Sequence, residues 1–306
     1  MHDIIIIGGG PAGLNAALYA LRAGKSVLIL ESNVVGGQIA NSPRLENFPT
    51  LPPLPGIDFA TQFANQVEHW GGEIEYDEVS SVRKEGDYFT VFTECDEYRA
   101  KAVIVATGVS HKHINVPGEQ ELLGNGIYYC ALCDGPLFEG KEVALIGDGN
   151  TAMQYALYLS NICSRVYLLT WTEKFFGDAT LADTIKKKDN IIHMPNIIAT
   201  GFDSADNGID IRCFHTLNDM RDKLTVSGVF VAIGQVPNND LFTEFATLDE
   251  QGYFVANEDM SVDTPGLFVA GDCRAKCVRQ VVTAVSDGAI AATSACRYID
   301  TIDNAS

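Results

Sequence analysis

The sequence contains one structural unit written twice, and this repeat limits the fold more than any other feature. The two copies read DIIIIGGGPAGLNAALYALRAGKSVLILE at 3–31 and EVALIGDGNTAMQYALYLSNICSRVYLLT at 142–170. At a constant offset of 139 residues, the aligned pairs are Gly8 and Gly147, Gly10 and Gly149, Gly13 and Ala152, and Glu31 and Thr170. Each copy predicts an apolar strand, a glycine turn, a helix with an apolar face and a second strand. Two such units in register predict an α/β fold with two Rossmann-like domains.

The first copy has every residue type that a dinucleotide site needs. Gly8 permits the tight turn, Gly10 lets the backbone approach a pyrophosphate, and Gly13 lets the helix pack on the strand. The helix N-terminus then offers free N–H groups to the phosphates. Glu31 lies 18 residues after Gly13, at the end of the second strand, where its carboxylate is placed to accept hydrogen bonds from a ribose.

Three further apolar segments run into glycines far from the first turn. They are AVIVATGVS at 102–110, GVFVAIGQVPN at 228–238 and GLFVAGDCR at 266–274. Strands that end at glycines are where a doubly wound sheet meets its ligand. Asp272, which follows the third strand, is placed either to bind a cofactor or to lie in a solvated loop.

A pair of cysteines lies in YYCALCDGPLF, between the two glycine turns. Cys130 and Cys133 are separated by two residues, and Asp134 follows them. A zinc site would need a second pair such as Cys273 and Cys277, and two free structural thiols are a further interpretation. A redox disulfide needs only the first pair, and the nucleotide motifs on either side favour this interpretation. Asp134 is then a candidate for moving a proton to or from a thiolate, or a simple turn residue.

Composition narrows the class of partner and the compartment. The 306 residues include 21 Lys and Arg against 40 Asp and Glu, a formal net charge of −19, which argues against nucleic acid and anionic membranes as partners. We expect no membrane association, because no apolar run is long enough to span a bilayer and the N-terminus lacks the features of a signal peptide. Six of the eight cysteines are scattered singly or at wide spacing, which is not the pattern of a secreted disulfide framework, so we expect a cytoplasmic protein without a bound metal.

Together these residues resemble one family. The motifs GGGPAG, GGQIANSPRLENFP, ATG, CALCDG, GDGNTA, GVFVAIGQVPN and GLFVAGDCRAKCVRQVVTAVSDG occur in the order seen in low-molecular-weight thioredoxin reductases. The resemblance covers essentially the whole chain. It implies an FAD-binding domain formed by 1–112 and 243–306, with a smaller pyridine-nucleotide-like domain, 113–242, inserted and carrying the cysteines. It also implies a homodimer, a swivel between domains, and thioredoxin as the disulfide substrate.

The resemblance also assigns roles to individual residues. Cys133 would face the flavin, Cys130 would attack the thioredoxin disulfide, and Asp134 would move the proton. The residues implied to bind FAD are Gly8, Gly10, Ala12, Gly13, Glu31, Gly37, Gln38, Asn47, Gly108, Gly271, Asp272, Arg279, Gln280 and Val281.

The second copy departs from the family pattern. The family has a glycine where this chain has Asp148, and an arginine cluster where this chain reads TWTEKFF at 170–176. A 2′-phosphate needs arginine-type donors, and this stretch offers only Lys174 beside Glu173. An NADH enzyme would need an acid where Thr170 stands.

These losses resemble a branch of the family, the ferredoxin-dependent flavin thioredoxin reductases. The sequence therefore predicts a flavoenzyme that takes electrons from ferredoxin. Two alternatives stay open: an enzyme that uses NADPH or NADH, and a flavin-bound redox sensor without turnover. Candidate basic landing points for ferredoxin are Lys186–Lys188, Arg274, Lys276 and Arg279, although a solvated helix face or cofactor contacts explain them equally.

Overall fold

The protein is described by a computed structural model that covers residues 1–42 and 44–305, and these form two compact units. Unit 1 consists of Met1–Ser110 and a second stretch that begins at Val236, and unit 2 consists of His111–Gln235. No helix within the described residues combines the length and the apolar character needed to cross a membrane.

Unit 1 is a layered α/β structure with a mixed sheet at its centre. Its strands are β1 His2–Ile7, β2 Val27–Glu31, β3 Glu73–Tyr76, β4 Val79–Glu85, β5 Tyr88–Thr93, β6 Glu97–Val105 and, late in the chain, β17 Leu267–Val269. Its helices are α1 Pro11–Arg22, α2 Gly56–His69 and α6 Val281–Ala305. The sheet order is β3-β2-β1-β6-β5-β4, with β17 paired to β6. The predicted α/β class is confirmed.

Strand β1 is the centre of this sheet because it is apolar on both faces. Ile4, Ile5 and Ile6 are fully buried, and β1 pairs in parallel with β2 on one side and β6 on the other. Strand β6 continues the sheet in two ways, since its first residues run antiparallel to β5 and its last residues run parallel to β17. The carboxyl ends of β1, β2, β6 and β17 therefore share one edge, which is where a doubly wound sheet binds its ligand.

Helices α1 and α6 cover one face of the sheet and lie against each other. Gly288 makes this approach possible, because a Cβ at that position would lie 2.1 Å from the carbonyl oxygen of Ala12. Their shared surface consists of small and aliphatic side chains, including Ala16, Ala291 and Ala295, all of them fully buried. Small residues permit close backbone packing, so α6 is held directly over the first glycine turn.

Unit 2 repeats the same plan on a smaller scale. Its strands are β8 Ile127–Tyr128, β9 Glu142–Ile146, β10 Arg165–Thr170, β11 Ile191–Pro195, β12 Ile197–Ala205, β13 Gly208–His215, β14 Arg221–Val226 and β15 Gly228–Val231. Its helices are α3 Ala131–Asp134, α4 Asn150–Ser160 and α5 Ala179–Ile185. A parallel sheet has the order β11-β10-β9-β15-β8, and β12, β13 and β14 form an antiparallel sheet of their own.

The chain passes between the units through two short strands, β7 Val109–His111 and β16 Gln235–Pro237, which pair with each other. The chain divides at 110/111 and 235/236, whereas the boundaries predicted from the sequence are 112/113 and 242/243. The second boundary differs because residues 236–242 pack in unit 1. Phe242 is fully buried beside Phe254, and the Asn239 amide donates hydrogen bonds to two carbonyl oxygens of that unit.

Candidate functional site

The first glycine turn connects β1 to α1 with very little space. Gly8 has a φ of +109°, and its N–H donates to the Leu30 carbonyl oxygen at 2.8 Å. A Cβ on Gly13 would lie 1.9 Å from the Gly8 carbonyl oxygen, so the helix can pack here only without a side chain. By contrast, a Cβ on Gly10 would have only the Gly36 oxygen near it, at 4.0 Å. Neighbouring atoms therefore fill the space beside Gly13, whereas the space beside Gly10 is open.

Glu31 holds this turn from the neighbouring strand. Its carboxylate is buried and accepts hydrogen bonds from the N–H of Gly9, at 2.7 Å, and from the N–H of Asn33, at 2.9 Å. These contacts between a carboxylate and backbone donors fix the end of β2 against the turn. The structure thus gives Glu31 a positioning role, and its predicted contact with a ribose stays a prediction.

A second backbone arm crosses the same turn. The N–H of Gly36 donates to the Gly9 carbonyl oxygen at 2.9 Å, and Gly37 begins a short 3-10 helix whose start lies against Gly10. In that helix, Gln38 donates its side-chain N–H to the carbonyl oxygen of Val109, the residue after Gly108. Both segments therefore lie along the open side of the turn, as a bound dinucleotide would require.

Gly271 and Asp272 approach the turn from the end of β17. Gly271 has a φ of +85°, and a Cβ there would lie 2.8 Å from the Cβ of Ala12. Burial raises the pKa of Asp272, while the charges of Lys276 and Arg279 act to lower it. Its Oδ1 atom is buried and has no hydrogen-bond partner within residues 1–42 and 44–305. A buried acceptor without a donor is costly unless a ligand supplies one.

The segment after Asp272 brings the remaining predicted residues together. Arg279 donates from Nε to the Asp272 carbonyl oxygen at 3.3 Å, and its guanidinium lies 4.2 Å from the ring centroid of Tyr253. Asn47 donates to the Gln280 side-chain oxygen at 2.9 Å, and Val281 begins α6. The structure therefore joins the predicted residues into two groups, one around the glycine turn and one around 47 and 279–281.

The cysteine pair in unit 2 forms a disulfide. Cys130 and Cys133 are bonded, with their Cα atoms 5.3 Å apart, and both are half-buried beside the exposed side chain of Leu132. Cys130 caps the short helix α3, so the N–H of Cys133 points at its Sγ, 3.2 Å away. This backbone donor fixes the Cys130 sulfur at the first turn of α3.

Asp134 ends this helix and is buried. Its N–H donates to the Cys130 carbonyl oxygen at 3.0 Å, which fixes it next to the disulfide loop. Its charge is felt by two neighbouring tyrosines. Burial first and the Asp134 charge second raise the pKa of Tyr155 to about 12, and the same two causes raise the pKa of Tyr128. Asp134 is thus a buried carboxylic acid whose backbone is fixed to the disulfide loop.

The second glycine turn keeps its shape but not its acidic partner. Gly147 has a φ of +145° and Ala152 is fully buried, as the scaffold requires. Thr170, at the position that matches Glu31, is fully buried and donates to the Thr172 carbonyl oxygen. Its Oγ1 also lies 2.9 Å from Nε2 of His193. The hydroxyl is therefore already engaged within the protein where a ribose partner would be needed.

Two aromatic residues cross the second turn where the first copy has glycines. The N–H of Phe176 donates to the carbonyl oxygen of Asp148 at 2.8 Å, a contact similar to that of Gly36 with Gly9 but one residue beyond the constant offset of 139. Phe175 stacks on His193 with ring centroids 4.6 Å apart, and Phe176 leaves 65% of its surface exposed. His193 could not be predicted as part of this site, because nothing in the sequence around it signals a ring stacked on a residue 18 positions earlier.

Several basic residues considered as landing points are already paired. Arg274 and Lys276 both donate to the Asp287 carboxylate, at 2.9 and 2.8 Å, so they are not a free basic surface. Lys186 pairs with Asp183 at the surface. No role was predicted for Asp287, which lies near the end of the motif GLFVAGDCRAKCVRQVVTAVSDG, because its partners are in the loop 271–276, 11 to 16 residues earlier.

Cys273 and Cys277 lie in different environments. Cys273 is fully buried, donates its thiol to the Ala270 carbonyl oxygen at 3.2 Å, and has its pKa raised by burial to about 11. Cys277 is exposed. Within the part of the chain that the structure describes, no group of three or more His, Cys, Asp and Glu is placed to hold a metal ion.

Known proteins match this chain over nearly its whole length. The sequence model of the pyridine nucleotide-disulphide oxidoreductase family matches residues 2–288. Thioredoxin reductase from Treponema pallidum is 37% identical over 304 residues, covering 99% of each chain, and that from Listeria innocua serovar 6a is 33% identical, covering 100% of this chain and 96% of the relative. The crystal structure of thioredoxin reductase from Streptococcus pyogenes matches with a TM-score of 0.93 at 31% identity, covering 98% of this chain and 99% of that one. These names do not mention ferredoxin, so the comparisons do not support the ferredoxin-dependent branch.

Proposed function

Because the chain belongs to the low-molecular-weight thioredoxin reductases, a family of FAD-binding flavoproteins, we propose that it reduces the thioredoxin disulfide through FAD and the Cys130–Cys133 pair, with reduced ferredoxin as the electron donor. One observation carries this proposal: a half-buried disulfide lies in a Rossmann-like unit whose own ribose position is occupied by the buried, internally bonded Thr170. The proposal extends to a homodimer in the cytoplasm, which light scattering and fractionation would test.

The residues around the first glycine turn fit FAD. Gly10 leaves space for a pyrophosphate, and Oδ1 of Asp272 is a buried acceptor that lacks a donor among the described residues. When bound, FAD supplies the electron transfer to the disulfide. The residues proposed to hold it are Gly8, Gly10, Ala12, Gly13, Glu31, Gly37, Gln38, Asn47, Gly108, Gly271, Asp272, Arg279, Gln280 and Val281.

The chemistry at the cysteines is thiol–disulfide exchange. Reduction of the Cys130–Cys133 bond takes up two electrons and two protons and gives two thiols. The Cys130 thiolate attacks one sulfur of the thioredoxin disulfide, which forms a mixed disulfide and releases one thioredoxin thiolate. The Cys133 thiolate then attacks Sγ of Cys130, re-forms the internal disulfide and releases reduced thioredoxin. Asp134 takes up and returns the proton that the thiol and thiolate exchange.

The residues of the second copy support ferredoxin over a nicotinamide. Asp148 places a carboxylate in the turn where a pyrophosphate would bind, and a like-charge contact there costs on the order of a few kcal/mol. The Thr170 hydroxyl donates to the Thr172 carbonyl oxygen, in the segment where donors to a 2′-phosphate or a ribose would stand. Ferredoxin carries single electrons, so two reduced molecules serve each disulfide.

The second candidate is a thioredoxin reductase that takes its electrons from NADPH or NADH. The family's name and the intact shape of the second glycine turn favour it. The deciding experiment mixes the oxidised holoenzyme anaerobically with NADPH, NADH and reduced ferredoxin in turn, while flavin absorbance is recorded. We expect reduced ferredoxin to bleach the flavin, and we expect neither NADPH nor NADH to do so. Rapid bleaching by micromolar NADPH would exclude ferredoxin as the required donor.

A matched variant tests which residues exclude the nucleotide. Asp148→Gly removes the carboxylate from the second turn but leaves Thr170 and Thr172 bonded to each other. We expect this variant to remain slow with NADPH, because no donor for the 2′-phosphate has been restored. Its ferredoxin-dependent thioredoxin reduction, measured in the same preparation, serves as the control for an intact flavin and disulfide.

A further inference from the structure

A buried carboxylate on α6 organises the loop that carries Asp272. Asp287 accepts hydrogen bonds from the N–H of Gly271 at 3.1 Å, from Nε and Nη2 of Arg274 at 2.9 Å each, and from Nζ of Lys276 at 2.8 Å. Only 5% of its side chain is exposed. The loop 271–276 is therefore tied to α6 on both sides of Asp272, through backbone and side-chain donors together.

Lys276 lies between two carboxylates. Its side chain is 7% exposed, and its Nζ lies 2.8 Å from Oδ2 of Asp287 and 3.8 Å from Oδ1 of Asp272. That Oδ1 is the buried acceptor without a hydrogen-bond partner among the described residues. The ammonium is close enough to attract the Asp272 carboxylate, but its hydrogen bond goes to Asp287 and not to Oδ1 of Asp272. Oδ1 thus stays available to accept a hydrogen bond from elsewhere.

We propose that Lys276, anchored by Asp287, is a positioning residue for the cofactor: it holds the Asp272 carboxylate charged and oriented so that Oδ1 accepts a hydrogen bond from a hydroxyl group of FAD. This inference rests on the proposed placement of Asp272 against FAD. It assigns to Lys276 a task at the flavin rather than at a ferredoxin surface.

The charges around Asp272 predict the direction in which loss of Lys276 changes the pKa of that carboxyl group. Burial raises the pKa of Asp272, the charges of Lys276 and then Arg279 lower it, and Asp287 raises it again. The Asp272 charge in turn acts on two further ionisable side chains, Tyr253 and the buried thiol of Cys273. Without Lys276, burial and Asp287 oppose ionisation with only Arg279 left to favour it. The carboxyl then takes up a proton as the pH falls and no longer offers a charged acceptor.

Asp287 itself stays ionised in this cluster. Burial acts to raise its pKa, but the hydrogen bonds and charges of Arg274 and Lys276 outweigh burial and lower it. In a Lys276 variant, the two hydrogen bonds from Arg274 still favour the ionised form of Asp287, so we do not expect the anchor to titrate over the neutral range. A pH effect on cofactor binding in a Lys276 variant reports on Asp272.

The test measures FAD release from the full-length holoenzyme. Lys276→Met, Lys276→Arg and wild type are diluted at a series of pH values between about 6 and 8, and released FAD is followed by its fluorescence. Lys223→Met is the matched control, because Lys223 makes a surface pair with Asp210 at the same 2.8 Å in unit 2. Lys276→Gln, which keeps a donor for Asp287 without the charge, replaces Lys276→Met if that variant does not fold.

We expect release from Lys276→Met to be about tenfold faster at pH 6 than at pH 8, with wild type, Lys276→Arg and Lys223→Met nearly independent of pH. Release at the wild-type rate, or acceleration by the same factor at every pH, would overturn the inference, since a purely structural lysine would not introduce a titration. A flavin-loaded wild type that does not reduce thioredoxin would overturn the proposed function alone. A wild type purified without flavin would overturn both.

Discussion

Gly13→Ala is the sharpest test of the packing behind the first glycine turn. The new Cβ would lie 1.9 Å from the Gly8 carbonyl oxygen and 3.1 Å from Cγ2 of Ile6, whereas ordinary contacts begin at 3.4 Å. The nearer neighbour is backbone, so α1 or the turn must move by about 1.5 Å, and overpacking of this kind costs about 1–3 kcal/mol. Alanine returns about 1 kcal/mol of helix propensity. With the clash near the upper limit, we expect a net loss of about 2 kcal/mol.

Thermal unfolding of the full chain measures this loss. For a unit of this size, about 2 kcal/mol lowers the melting temperature by about 4–8 °C, and we also expect weaker retention of FAD. Ala152→Gly is the control at the equivalent position of the second copy, where the losses of helix propensity and of a buried methyl group should together cost about 2 kcal/mol but leave FAD retention unchanged. If Gly13→Ala melts at or above the wild-type temperature, the conclusion that α1 has no room for a side chain at position 13 is wrong.

Three further predictions concern the cysteines and a buried network beside them. Cys133→Ser should abolish thioredoxin reduction in a coupled assay while the donor still bleaches the flavin; residual turnover would place the chemistry elsewhere. Burial lowers the pKa of His111 to about 4, so the unfolded chain binds a proton first as the pH falls, and stability is lost between about pH 6.5 and 4, by up to about 3 kcal/mol. His111→Phe keeps a ring stacked on Tyr129. In this variant the free energy of unfolding, measured with urea, should depend less on pH over this window. An unchanged pH dependence would contradict the role given to His111. Tyr129→Phe removes a 2.6 Å hydrogen bond to buried Glu119 and should cost about 1–3 kcal/mol in the same assay; a neutral effect would show the bond to be unimportant.

The two glycine turns and the strands that lead into them could be predicted because their signals are local. The apolar run that forms β1, the glycines of the turn and the small residues of α1 lie within about twenty positions of one another. The same spacing 139 residues later gives β9, α4 and β10. Covalent neighbourhood alone is enough to specify a strand, a turn and the start of a helix.

The partners of individual side chains could not be predicted in this way. Glu31 was expected to meet a ribose, and the structure shows that its oxygens first hold the N–H groups of Gly9 and Asn33. Lys276 was considered as part of a basic surface, yet it is buried against Asp287 on another element. Such pairings depend on which loops the tertiary packing brings together, and no periodicity or spacing in the chain encodes them.

The pairing of β7 with β16 has a consequence for how this chain can be rearranged. Residues 111–235 begin and end on adjacent hydrogen-bonded strands, so the whole segment is attached to its host at a single point. A segment of this kind can be exchanged between relatives without stretching the host on either side. The segment that bears the disulfide and the altered second turn can therefore be replaced as one piece while the sequence on both sides of it stays as it is.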